Sequence, residues 1–513
     1  MSRGFSVAWL FMGLCGFAVL SSWLGPSAWL VTAVLMWLSP VAYATDLKRP
    51  RGLGAWMLWS AWSCVAALFC REPLISVAAL WPGATGVLIF ALAYSWWGRP
   101  HRRAWLGSLW FLGALLAAIS WRTGRCDAVS GGFIIAALGS CLGLATKDLS
   151  ESNRMRAVAW WLSALYLAIA AALAWKHRAG ITEALVLRRH LWEAGAAIAF
   201  SRPSSGVGPG LFERGFLLSD HFSPLPGPLA SWSRFEDQAF PGSEWSRVAA
   251  ETGLIGLALL LVAVIFSGPR LLDDRRFPAR GSSREWERRA AAGGFWALTA
   301  FSLVETIFDR QALLVLWFTA LACSAPGSNE EESRSFRIDR RWALAGAILC
   351  LLSAWPKAFS SAAARSGRLS RMYTAAWLAP GDAALSAEIA RRCLLLNPPQ
   401  IGAAAAWLDQ AIQSSPRQAL YLYRKAELFK AQGAWPEAMR WTAQALALEP
   451  EFVSARLILA QGRRRAGDLP GAREQIAALR QTLSAQRRPR DEYERQLLEF
   501  DPAQLEEASQ LAP

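Results

Sequence analysis

The chain has 513 residues, 54% of them hydrophobic and 28 of them tryptophan, and its mean hydropathy is +0.22. That apolar balance excludes an ordinary soluble enzyme, and the length leaves room for two domains. The formal charge of +15 would suit a nucleic-acid binder, but the cations gather in short stretches between apolar segments, which marks membrane topology and not partner recognition.

A helix needs about 20 apolar residues to cross a bilayer. In chain order, segments of that kind cover 5–24, 27–45, 53–70, 74–97, 104–120, 128–145, 157–175, 253–267, 290–308, 311–325 and 342–360. They predict roughly eleven spans. The first follows Met-Ser-Arg, runs long and has no small-x-small cleavage site, so it reads as an uncleaved helix and not as a removed signal. With the N-terminus cytoplasmic, the inside loops (46–51, 98–103, 147–156, 270–289 and 330–341) hold about twenty Lys and Arg. The short outside loops hold Arg71, Arg122, Arg125 and Arg310. This asymmetry is the positive-inside signature and puts the long loop 176–252 and everything after residue 360 outside, which in a Gram-negative cell is the periplasm.

Eight cysteines are scattered without a CxxC or any other metal spacing, so no metal is expected. Cys70 and Cys126 fall on the outer side, where a disulfide and separate buried thiols both fit the sequence.

Within the long loop, Gly206, Gly208 and Gly210 alternate through GVGPG, followed by Leu211 and Phe212. No Lys-Ser/Thr follows, so this is no Walker loop, and no parallel-sheet pattern surrounds it, so it is no dinucleotide fingerprint. Two readings stay open: a plain turn between interfacial helices, or a backbone built to approach a phosphate group closely.

After residue 360 the composition becomes charged and Ala-rich with helical periodicity. Ala426, Gly433 and Ala438 recur as Ala460, Gly467 and Ala472, and Ala438, Ala445 and Pro450 echo Ala404, Ala411 and Pro416. The step is 34 residues each time. Small residues at helix crossings, a glycine between helices and a closing proline at this period resemble tetratricopeptide repeats. Each helix pair leaves an apolar face that only the next pair covers, so a short solenoid is expected, with a groove for a peptide or protein partner. The fold class expected is therefore all-α. A polytopic membrane domain over 1–360, with the large helical loop 176–252, precedes a repeat domain over 361–513.

The flanks of the glycine turn carry a further resemblance. Arg188 precedes Leu191-Trp192, Pro203 precedes Gly206 to Phe212, and Glu251-Thr252-Gly253-Leu254-Ile255-Gly256 opens a later span. This pattern resembles the O-antigen ligase and polymerase superfamily of bacterial envelope glycan transferases. The specific motifs lie within 185–260, and the span architecture agrees over about 1–330.

The resemblance implies a metal-independent, cofactor-free inverting transfer of a glycan from an undecaprenyl-pyrophosphate carrier to an acceptor hydroxyl. The acceptor would be a lipid A core sugar, another repeat unit or a protein side chain, and the partners are that lipid-linked substrate and the surrounding membrane lipid. Arg188, with Arg189 as its alternative and Arg214 as a second clamp, would hold the diphosphate bidentately. Snorkelling at the interface for the first two, or a solvated loop charge for Arg214, are the plainer readings. Gly206, Gly208 and Gly210 would bring backbone to the phosphates, beside Glu251. Trp192, Trp232 and Trp245 would stack on sugars or simply belong to an interfacial belt.

One departure matters. Where the family has His-Asn, this chain has Gly242-Ser243. The general base would then be Glu244 or His221. If transfer has been lost instead, the chain would bind lipid-linked glycan or act as an envelope-assembly scaffold through its repeats. Glu305, Asp309 and Arg310 at the outer end of the ninth span either face the same cavity or pair on the surface.

Overall fold

The structure, a computed structural model, describes residues 52–70, 73–96, 99–123, 128–145, 153–176, 178–212, 243–269, 285–308, 310–324, 366–378, 381–416 and 418–484, with isolated positions in 34–50 and 335–363. The described residues are all-α. They form sixteen helices, against one two-residue antiparallel ladder that pairs β1 (Leu47–Lys48) with β2 (Ser335–Phe336). They divide into two compact units, one within Met1–Phe212 and Phe240–Trp355, the other within Pro356–Pro513.

The first unit contains α1 (Leu53–Leu68), α2 (Pro73–Trp96), α3 (Arg99–Thr123), α4 (Ala128–Ala145), α5 (Asn153–Lys176), α6 (Arg178–Ser201), α7 (Glu244–Ser267), α8 (Glu285–Phe301) and α9 (Gln311–Ser324). Aromatic rings fill its centre. Trp56, Phe295 and Phe318 are fully buried, and Trp56 meets Trp317 and Phe318 edge-on at centroid separations of 5.4 and 5.2 Å. Edge-to-face contact sets the positive ring edge against the negative face. Two buried indoles find polar partners on neighbouring helices: Trp56 Nε1 donates to Ser267 Oγ at 3.0 Å, and Trp317 Nε1 to Thr299 Oγ1 at 3.0 Å.

Glycines let two helices touch backbone to backbone. A Cβ at Gly293 of α8 would stand 2.0 Å from the Gly139 carbonyl oxygen of α4, and one at Gly143 would stand 2.4 Å from the Arg289 carbonyl. Small residues at a crossing replace side-chain bulk with close van der Waals contact, the usual way helices associate in an apolar medium. Gly293→Ala is therefore expected to cost about 1–3 kcal/mol, because backbone on both sides must move apart. A thermal melt of the detergent-purified protein checks this, with Gly107→Ala on α3, which has no neighbour within 4 Å of its Cβ position, as the control.

Two described helices are long and apolar enough to cross a membrane: α5 over Ala157–Lys176, with a mean hydropathy of 1.9, and α7, with 2.4. Shorter apolar stretches lie at Leu53–Leu68, Ala79–Ser95, Ala104–Ile119, Val129–Leu144 and Ala312–Ser324. Helix α5 turns Trp160, Trp161, Leu165 and Leu167 outward, and α7 does the same with Ile265 and Phe266. The expected spans 5–24, 27–45 and 342–360 fall almost wholly outside the described residues. One expected span is corrected. The stretch 290–308 does not run as one helix, because α8 ends at Phe301 and residues 302–308 form a turn.

The second unit contains α10 (Leu369–Leu378), α11 (Ala383–Leu394), α12 (Ile401–Ser414), α13 (Ala419–Ala431), α14 (Trp435–Leu448), α15 (Val453–Arg465) and α16 (Leu469–Ser484). Helices α12, α14 and α16 begin 34 residues apart, as do α13 and α15. The alanines that carry the sequence period sit where helices cross, with Ala404, Ala411, Ala438 and Ala445 completely buried. Gly433 (φ 78°) and Gly467 (φ 84°) end α13 and α15 in the left-handed region. The following residues, Ala434 and Asp468, each reach back to a helix carbonyl at 2.9 Å, so the spare carbonyls at both helix ends are used.

Candidate functional site

The glycine turn between α6 and α7 approaches another part of the chain itself. Gly206, Gly208 and Gly210 take φ of 64°, 111° and 72°, conformations open to glycine and strained for other residues. Opposite them, α7 breaks at Gly253, which has φ 73° and ψ −179°. The break frees carbonyls that a continuous helix would have used internally.

The neighbouring segment supplies the donors. Val207 N donates to Ala250 O and Gly208 N to Glu251 O, both at 2.9 Å. Leu254 N returns the bond to Pro203 O at 2.8 Å, and Trp62 Nε1 donates to Thr252 O at 3.0 Å. The approach leaves no room for side chains: a Cβ at Gly206 would lie 2.4 Å from Ala250 O, and one at Gly253 2.5 Å from Ser204 O.

The turn also rests on the α1–α2 corner. Cβ atoms at Gly208 and Gly210 would meet Cys70 Cβ and Ala79 Cβ, each at 2.5 Å. Cys70 is a free thiol in contact with Ser76 Oγ at 3.0 Å, and Cys126 lies outside the described residues. The amides of Gly206, Val207, Gly208, Leu211 and Phe212 all donate within the chain. Of the glycines expected to bring backbone to a phosphate, Gly206 and Gly208 therefore have their amides in use within the chain, while Gly210 N donates to no backbone acceptor among the described residues. Glu251 shares in the same joint: its Oε1 accepts from Phe212 N at 3.4 Å, and the residue is 6% exposed.

Charged groups cluster at the N-terminus of α7. Ser243 caps that helix by accepting from Ser246 N at 3.4 Å. Glu244, next along, is 2% exposed. Its Oε2 accepts from Ile307 N at 2.9 Å and Phe308 N at 3.0 Å, and its Oε1 accepts from Arg247 Nε at 3.1 Å and Nη2 at 2.5 Å. A carboxylate offers about four lone-pair positions, and these four donors take them. Trp245 Nε1 donates to Ser302 Oγ at 2.8 Å, and Glu244 N to Ser302 O at 2.9 Å. The start of α7 is thereby stapled to the turn that ends α8.

Arg188, on α6, reaches the same turn. Its Nη2 donates to Glu305 Oε2 at 2.8 Å, and Glu305 Oε1 also accepts from Thr306 N at 3.3 Å. The arginine side chain is 29% exposed and its carboxylate partner 11%. Among the described residues, the Glu305 bond is the one hydrogen bond that Arg188 makes, so Nε and Nη1 remain available at a partly open position. Two buried hydroxyls near this cluster, Ser246 Oγ and Thr306 Oγ1, have no hydrogen-bond partner.

The structure thus brings Arg188, Glu244 and Trp245 to the 302–308 turn, while Glu251 sits at the joint of α7 with the glycine turn. It sets Arg189 apart, in an exposed pair with Glu193 at 2.9 Å that contributes little to stability. Trp192 is partly exposed on α6. Arg214, His221, Trp232 and Asp309 lie outside the described residues. Arg247 was missed from sequence, although a basic residue one turn after Glu244 was the available signal. Glu305 was noticed there, but its pairing with Arg188 was not. No group of three His, Cys, Asp or Glu residues placed to hold a metal ion occurs among the described residues. No family model matches the chain, and no curated protein matches it.

Proposed function

We propose that the chain is a multi-pass protein of a bacterial inner membrane that transfers a glycan from an undecaprenyl-pyrophosphate carrier to an acceptor hydroxyl at the periplasmic face. In this reading its roughly eleven apolar segments span the bilayer, the ninth as the helix that ends at Phe301, and the helix pairs of the second unit form a periplasmic tetratricopeptide-like solenoid open to a protein partner. The span-length α5 and α7, with their outward tryptophans and aliphatics, support the membrane assignment. The motifs around Arg188, the glycine turn and Glu251 support the reaction class.

One observation carries the reading: the Arg188 guanidinium, aimed by a buried carboxylate yet keeping two donor positions uncommitted. Such a group is oriented before the substrate arrives, which is what stabilising a leaving diphosphate requires. In the reaction the acceptor oxygen attacks the anomeric carbon from the face opposite the carrier. The bond from that carbon to the pyrophosphate oxygen breaks, its electron pair leaves with the diphosphate, and Arg188 offsets the added charge. The acceptor proton passes to a base. Glu244 and His221 are the two candidates for that base, and the four hydrogen bonds that Glu244 already accepts favour His221.

The same engagement of Glu244 favours a second reading, a chain that binds the lipid-linked glycan without transferring it. Both readings require Arg188 at the diphosphate. Binding of undecaprenyl pyrophosphate to the detergent-solubilised protein, followed by native mass spectrometry, is expected to weaken about tenfold or more in Arg188→Ala, the loss typical of one charge-assisted contact. It should be unchanged in Arg189→Ala. Equal binding by the two variants would remove Arg188 from the site.

A further inference from the structure

The connection between α11 and α12 differs from the other turns of the second unit. Residues 394–402, LLLNPPQIG, are exposed without interruption and carry no charge. Leu395 is 67% exposed, and Leu394, Leu396 and Ile401 are 37%, 38% and 39% exposed. By contrast, α13–α14 and α15–α16 are joined by tight glycine turns without large apolar side chains. The apolar loop is also closed at its base, where Gln400 N donates to Cys393 O at 3.0 Å. Its side chains therefore stand on a formed loop and not on a frayed helix end. A contiguous apolar surface of this kind marks a place that meets another apolar phase.

Two further observations say which phase. Basic residues border the loop: Arg391 and Arg392 close α11, and a Cβ at Gly367 would lie 3.2 Å from Arg392 Nη2, which brings Arg368 alongside. Glu388 accepts from both Arg391 and Arg392, leaving positive charge in excess. Covalent reach supplies the second. Gly367 follows the apolar segment 342–360 by seven residues, a stretch that reaches at most roughly 25 Å when extended. The loop base is thus tethered close to that segment.

We propose that residues 394–401 form an interfacial loop seated on the periplasmic leaflet. Leu394, Leu395, Leu396 and Ile401 enter the boundary of the acyl chains, and Arg368, Arg391 and Arg392 face anionic headgroups. Buried apolar area and attraction to anionic lipid are the two terms that hold such elements at a membrane surface. The proposal rests on reading 342–360 as a span.

The test places the photocrosslinker p-benzoyl-phenylalanine singly at Leu351, Leu395 or Leu469 of the full chain, reconstituted in vesicles of phosphatidylethanolamine and phosphatidylglycerol. Leu351 lies in the 342–360 segment, and Leu469 is an exposed aliphatic of the last repeat, 46% accessible. After irradiation, lipid adducts detected by mass spectrometry are expected at Leu351 and Leu395 and absent at Leu469. A lipid adduct at Leu351 with none at Leu395 would overturn the interfacial loop while leaving the span in place. Protein adducts at Leu395 would overturn it in favour of a docking surface. No lipid adduct at Leu351 would overturn the span itself and the loop proposal with it.

Discussion

Gly206→Ala is expected to lower the thermal unfolding midpoint of the purified protein by several degrees, at a cost of about 3 kcal/mol or more. Two penalties combine. A residue with a side chain at a φ of 64° gives up roughly 1–2 kcal/mol in the left-handed region. Its Cβ would also press on the Ala250 carbonyl and on the carbonyl carbon of Glu251, each 2.4 Å away, and relieving such overpacking costs about 1–3 kcal/mol. Backbone cannot rotate aside as a flexible side chain does, so the interlock with the α7 kink must open. Gly253→Ala attacks the same joint from the other side, with a φ of 73° and a Cβ 2.5 Å from Ser204 O. Because the two residues share one joint, the double variant should lose less than the sum of the single losses. A midpoint for Gly206→Ala equal to that of the parent would mean that the interlock does not hold the protein together.

The second large effect concerns Glu244. Replacing it with glutamine leaves an acceptor for the amides of Ile307 and Phe308 but strips the charge that faces Arg247, whose side chain is 13% exposed beside a glutamate at 3%. Breaking a buried pair by removing one partner costs about 3–5 kcal/mol, because the remaining charge has lost its compensation. Glu244→Gln is therefore expected to melt markedly lower, and Arg247→Gln added to it should recover part of the loss. A catalytic base predicts a different pattern: unchanged stability, and activity lost without rescue. The melting curves of the two single variants and the double variant separate these cases before any substrate is known.

The parts of this architecture that depend on local pattern were legible in the sequence. Hydropathy marks the apolar helices directly, and the 34-residue period of alanines and glycines foretells the spacing of α12, α14 and α16 because those alanines occupy the crossings. The glycine turn was legible in kind but not in object. Three alternating glycines announce a close backbone approach, yet nothing near them names Gly253 as the place where a helix breaks to receive it. The end of α8 was hidden for a related reason. Residues 302–308, SLVETIF, read as more of the same apolar helix, and the group that takes the Ile307 amide, Glu244, arrives from 63 residues earlier in the chain. Charged pairs were the least legible. Arg188 and Glu305 stand 117 residues apart, and a guanidinium within a helix looks alike from sequence whether it snorkels, pairs or binds.

That last ambiguity makes Arg188 the centre of the account. It is half-held by Glu305, and its other donors are open to a phosphate. Glu244, bound to the same 302–308 turn, already accepts four hydrogen bonds, which in the proposed reaction favours His221 as the base.

The most direct test is glycan transfer by the full chain in membrane vesicles of a strain lacking its own ligase and polymerase, supplied with undecaprenyl-pyrophosphate-linked donor. The account predicts transfer by the parent chain, a fall of about 10²–10³-fold in Arg188→Ala, as for loss of one preorganised donor, and a loss of about 10²-fold or more in His221→Ala, as for loss of a general base. Parent chain that is well expressed, binds the donor and transfers nothing would contradict the transferase and leave a protein that holds lipid-linked glycan.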